Sequence, residues 1–132
     1  MMEGDLFRSS RAATSGMRAQ AERLRLIAEN IANADTPGYR RKTASFELVQ
    51  QSGTPTNEVR LGRVVLSDAE RPRLYAPDHP MADETGFYEG SNVNLVIEIA
   101  DAREAQRSYE ANLRLYEQTR QMSQGLLDLL RR

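Results

Sequence analysis

The stretch Glu29–Arg41 reads ENIANADTPGYRR, and it stops a long helical run abruptly. Asp35 and Thr36 are poor helix formers, and Pro37 biases Thr36 away from the helical region. Thr36-Pro37-Gly38-Tyr39 carries Pro at the second turn position and Gly at the third, as a type II turn requires. Tyr39 then starts an extended path. Asn30 and Asn33 lie three residues apart on the last helical turn. They read either as specific hydrogen-bonding groups toward neighbouring backbone or as helix terminators, because Asn competes with helical hydrogen bonding. The two roles are compatible, and the sequence leaves both open.

The residues before this stop form one helical segment, from Asp5 to about Asn33. A heptad seam runs through Leu6, Ser10, Ala13, Met17, Gln20, Leu24, Ile27 and Ile31, most of it apolar. Gly16 weakens the segment by about 1 kcal/mol relative to Ala. The first dozen residues are polar, and the sequence expects them to be disordered in the free chain. A second proline-free segment begins at Asn92 or Asn94, either of which could cap it, and runs to Leu130. Its expected seam is Leu95, Ile99, Ala102, Gln106, Tyr109, Leu113, Tyr116, Arg120, Ser123, Leu127 and Leu130. Val96, Ala100, Met122, Leu126 and Leu129 lie off that seam as a second apolar stripe, which one partner helix cannot cover.

Between the helices the chain is rich in turns and short strands. Phe46–Gln50 alternates apolar and polar residues, Val59–Leu66 is broken at Gly62, and Leu74-Tyr75 and Phe87-Tyr88 are short apolar points. Gln51–Asn57 reads as a flexible turn and Pro77–Glu84 as an ordered loop. The expected fold is mainly α with a small β insert. Long N- and C-terminal helices pair in coiled-coil fashion and flank a β-hairpin-rich middle region. Residues 1–34 and 92–132 would form one helical domain, with 35–91 as the turn and β-rich part.

Composition narrows the function. Eighteen basic and 19 acidic side chains nearly cancel, to a formal charge of -1. The bases are spread among acids, so no nucleic-acid partner is expected. The run Arg40-Arg41-Lys42 reads as a solvated strand start or as a salt-bridge donor to another subunit. No cysteine is present, which removes disulfides, thiol catalysis and Cys-based zinc sites. No apolar run approaches the ~20 residues a membrane helix needs, so direct membrane insertion is not expected. The N-terminus lacks the apolar core of a cleavable signal peptide. His79 is the only histidine; set between two prolines, it reads as part of a rigid loop. Neither a G-x-S-x-G elbow nor a phosphate-binding glycine loop occurs. The sequence therefore offers no catalytic residue, no cofactor site and no metal site. It reads as an assembly subunit; a soluble helical adaptor or chaperone is the main rival.

The motif ENIANADTPGYRRK, following a helix that contains SGMRAQAERL, resembles the signature of bacterial flagellar axial proteins of the rod and hook class. The segment Tyr75–Leu113, YAPDHPMADETGFYEGSNVNLVIEIADAREAQRSYEANL, resembles one of the two proximal rod proteins of that class and speaks against its sister. Ser91 stands where the pattern has a proline. The resemblance implies a basal-body rod subunit that polymerises into a helical tube crossing the periplasm. It implies as partners copies of itself, other rod proteins, an inner-ring adaptor at the rod base and the flagellar type III export apparatus. Export would proceed without signal cleavage. Within that frame Met17, Leu24, Ile27 and Ile31 are expected to pack against Ile99, Tyr109, Leu113 and Tyr116. Leu126, Leu127 and Leu130 are expected to dock on neighbouring subunits.

Overall fold

A computed structural model describes residues 2–131. Two helices dominate: α1 (Met2–Ala32) and α2 (Leu95–Leu130). Helix α1 already begins at Met2, so residues 2–12 of the polar N-terminal stretch are helical rather than disordered. Leu6 and Ser10 lie there beside Tyr116 and Thr119 of α2, and this tertiary support offsets their modest local preference. Asn94 caps α2: its side-chain Oδ1 accepts from Val96 N at 3.0 Å.

Six short strands make three separate antiparallel ribbons. β1 (Lys42–Thr43) pairs with β4 (Val65–Leu66), β2 (Phe46–Gln51) with β3 (Thr54–Leu61), and β5 (Arg73–Tyr75) with β6 (Phe87–Glu89). The β2–β3 turn is only Ser52-Gly53, both at positive φ (54° and 78°), as a two-residue hairpin requires. The expected flexible turn over Gln51–Asn57 is thus mostly strand. Pro55 sits opposite Gln50, and the Thr56 hydroxyl donates to Val49 O at 2.6 Å where the register shifts. β3 lies along α1, and Val59 N donates to Ser15 Oγ at 3.1 Å. The break expected at Gly62 separates β3 from β4. The loop from Pro77 to Glu84 is ordered: His79 stacks on Tyr88 with ring centroids 4.0 Å apart. Its Nδ1 accepts from Met81 N.

The buried apolar residues, Ala13, Ala19, Leu26, Ile27 and Ala105, all lie on the two helices. They are mostly small, and small residues let helix axes approach closely. Gly16 marks the tightest place. A Cβ there would stand 2.7 Å from Asn112 Nδ2. The sequence alone casts Gly16 as a weak point, but the packing requires it. Helix propensity would reward Gly16→Ala by about 1 kcal/mol, whereas overpacking a tight seam costs about 1–3 kcal/mol. Gly16→Ala is therefore expected to lower the thermal unfolding midpoint. A raised midpoint would show that Asn112 moves aside freely.

Candidate functional site

The chain stop described above is built around Asn30, a side chain only 1% exposed. Its Oδ1 accepts from Lys42 N at 2.9 Å and from the Tyr39 hydroxyl at 2.8 Å. Its Nδ2 donates to Lys42 O at 2.9 Å and to Glu98 Oε2 at 3.4 Å. One amide thus serves both backbone groups of Lys42, as a neighbouring strand would. Asn33 does the terminating work: Nδ2 donates to Glu29 O at 2.9 Å, and Oδ1 accepts from Thr36 Oγ1 at 3.0 Å. The turn closes through Tyr39 N to Thr36 O at 3.1 Å, with Gly38 at φ 74°. Pro37 is half-buried beside it, while Thr36 and Gly38 are exposed.

The turn delivers Arg41 to α2. Its Nε donates to Glu98, a carboxylate with no exposed surface, and its Nη2 lies 2.9 Å from Asp101 Oδ2. Arg23 of α1 shares Asp101, at 3.8 Å, and reaches Glu104 at 3.5 Å. Asn92 closes the other side: Oδ1 accepts from Arg41 N at 2.6 Å, and Nδ2 donates to Ser67 O and Ala69 O. Buried Ser91 donates its hydroxyl to Ala34 O, a bond that a proline could not make. Each side chain of the run Arg40-Arg41-Lys42 has an acidic partner within the chain. Arg40 pairs with Asp68 and Lys42 with Glu29, both at 2.5 Å. Glu98 and Asp101 escaped the sequence reading, which offered Asn92 only as a helix cap and Arg41 only as a strand-start base or a donor to another subunit, because nothing local signals a pairing across 57 residues.

Titration follows from this wiring. Burial raises the Tyr39 hydroxyl above its ordinary 10.0, with the Glu29 charge adding to it. The hydrogen bond to Glu29 raises Lys42 above 10.5. Both groups hold their protons more tightly when folded, so their contribution is complete below the unfolded values and is lost as pH rises through the folded ones.

The helix seam differs from expectation. It is centred on Glu98, Ala105, Asn112, Thr119 and Leu126, one position before Ile99, Gln106, Leu113, Arg120 and Leu127. One residue is about 100° around a helix. Ile27 is buried and Met17, Leu24 and Tyr116 are half-buried. Ile31 is 38% exposed, Tyr109 36%, Leu113 37%, Ile99 48%, Leu127 48% and Leu130 73%. Of the expected contact set, Met17, Leu24, Ile27 and Tyr116 are covered within the chain, while Ile31, Ile99, Tyr109 and Leu113 are left partly open. On α2 the centre of the seam is mostly polar or short, and Ile99, Leu113 and Leu127 stand at its rim. Two exposed apolar stripes flank the seam. Ile99, Leu113 and Leu127 lie on one side, Leu115, Met122 and Leu129 on the other. Leu126 is half-buried at the end of the seam, in an open cleft of about 320 Å³ with Leu6, Phe7 and Tyr116. Among the described residues no group of His, Cys, Asp or Glu has the makings of a metal site.

Two terminal helices clamped at a polar elbow, with apolar stripes left on both flanks, define a helical assembly subunit. Comparison with known proteins gives the family. The model of flagella basal body rod proteins matches residues 11–40, the helix and its elbow. That of the flagellar basal body rod FlgEFG protein C-terminal region matches residues 84–129, which hold Glu98 and the seam. Flagellar basal-body rod protein FlgC of Agrobacterium fabrum is 43% identical over 132 residues, covering 93% of this chain and 94% of the relative. FlgC of Salmonella typhimurium is 33% identical and FlgC of Aquifex aeolicus 32%, each over 123 residues covering 89% of this chain and 92% of the relative. The chain belongs to the family of flagellar basal-body rod proteins, among the FlgC-like members.

Two outcomes test the elbow. Gly38→Val forces a β-branched side chain to positive φ with no steric obstacle nearby, so its cost is backbone strain, about 1–2 kcal/mol. Impaired swimming is expected; wild-type swimming argues against the turn's role. The thermal midpoint should also fall as pH rises above 10, and Tyr39→Phe should remove part of that fall. An unchanged slope would separate Tyr39 from the effect.

Proposed function

We propose that this protein is a structural subunit of the flagellar basal-body rod, polymerising into a helical tube that transmits motor torque across the periplasm. The observation that carries this reading is the pair of apolar stripes on α2. Large side chains stand about half exposed on both flanks of a seam that is already closed within the chain. Burying the remaining surface is worth on the order of 1 kcal/mol per side chain at about 25 cal/mol per Å². One stripe would call for one neighbour. Two stripes on opposite flanks call for two, and non-identical contacts of that kind generate a ring or a helical polymer.

In this reading Met17, Leu24, Ile27 and Tyr116 belong to the subunit's own helix pair. Ile31, Ile99, Tyr109, Leu113, Leu126, Leu127 and Leu130 supply packing between subunits. Residues 1–34 and 92–132 act as one helical unit of the tube wall, and 35–91 as the part the elbow orients. The partners are copies of the same chain, other rod proteins and an inner-ring adaptor at the rod base. The flagellar type III export apparatus delivers the chain without cleavage of a signal peptide. A soluble helical adaptor shares the paired helices but not the rod-family matches at both ends of the chain.

Leu113→Asp and Leu127→Asp place a charge on the outer stripe while sparing the seam. Each variant should keep the helical circular dichroism of the wild-type monomer and lose motility and rod assembly. Normal motility in both strains would sink the assignment of that stripe.

A further inference from the structure

The middle region has no apolar core of its own. No strand residue is buried, and every buried apolar side chain lies on a helix. β3 rests along α1, and the elbow end of the region is seated by polar groups. Asn30, on α1, satisfies both backbone groups of Lys42. Asn92, just before α2, binds Arg41 N and the carbonyls of Ser67 and Ala69. The link is closed from the far side by Glu98 of α2, which accepts from both Arg41 and Asn30.

We infer that the elbow is a conditional latch, in which β1 is seated only when the first turns of α2 lie against α1, and those first turns are seated only when the chain entering β1 delivers Arg41. The dependence runs both ways for a physical reason. Without α2, Arg41 loses Glu98 and Asp101, and the Asn30 amide loses one acceptor. Without Arg41, Glu98 is a carboxylate with no exposed surface and only a long amide bond, and a buried charge stripped of its partner is strongly destabilising. Seating of the first turns of α2 and the setting of the elbow are then one cooperative event, while the seam beyond them keeps its own packing. The latch operates within one chain, whatever that chain assembles into.

Amide hydrogen exchange on the full chain resolves such units residue by residue. Glu98→Gln keeps the side chain's size and removes its charge; Arg41→Gln cuts the same link from the elbow side. The signature is transfer across elements. Exchange at Lys42 should rise at least tenfold in Glu98→Gln. Exchange over residues 98–102 should rise at least tenfold in Arg41→Gln. The double variant should exceed neither single change, since both remove one link. A rise confined to the element carrying the substitution overturns the latch. So does a uniform rise over residues 105–119, which would report loss of the whole helix pair. If a single variant does not fold, the double variant decides, because it leaves no buried charge unpaired. Paired helices with Lys42 exchanging freely support the latch, and paired helices with Lys42 still protected overturn it.

Discussion

The guanidinium of Arg41 lies against Glu98, and the arrangement of the molecule follows from that pair. Glu98 occupies the helix seam with no exposed surface, where a lone carboxylate would be strongly unfavourable. Arg41 reaches it because the turn at Pro37-Gly38 reverses the chain at the end of α1. Gly38 makes that turn at positive φ, and Asn30 holds the returning strand through both backbone groups of Lys42. Breaking a buried pair of this kind by removing one partner costs about 3–5 kcal/mol. The first turns of α2 are thereby tied to a two-residue strand more than fifty positions earlier.

The seam beyond Glu98 obeys a different constraint. A methyl group at Gly16 would meet the Asn112 side chain, and Ala13, Ala19 and Ala105 are buried on the two helices. Leu26 and Ile27 of α1 are buried, but none of the bulky apolar residues of α2 is. Leucine, isoleucine and methionine are displaced to the flanks of α2, where nothing in the same chain covers them. Intramolecular economy and intermolecular stickiness are therefore one design. A seam built from bulky heptad residues would hide the surface that a polymer needs.

This explains what the sequence made legible. The turn Thr36-Pro37-Gly38-Tyr39, the two helices, the break at Gly62 and the asparagine cap of α2 are local effects, and local residues announce them. The seam register is not local. Heptad counting rewards bulky apolar residues, and in α2 those residues flank the seam. The true centre, Glu98-Ala105-Asn112-Thr119-Leu126, contains one large apolar side chain. Arg41 looked like a surface base because its partners are distant in sequence. Of the two readings left open for the asparagines, Asn30 takes the specific hydrogen bonds and Asn33 the termination. Gln51–Asn57 looked too turn-rich for strand because Pro55 removes a donor, yet a two-stranded ribbon tolerates proline on its edge.

A middle region without its own core has a consequence for a rod subunit. Its three ribbons bury little; β3 rests along α1, and at the elbow the angle comes from the helices through polar contacts. Hydrogen bonds and ion pairs are directional, and apolar contacts are not, so a polar elbow defines an orientation more sharply than an oily one of equal strength. The same contacts bring no apolar mass that would collapse early in an unfolded chain. In the proposed rod, a chain that travels unfolded and must present its β region at one angle is served by such an elbow. Its few polar atoms are inert until the two helices meet, and they fix the geometry once the helices have met.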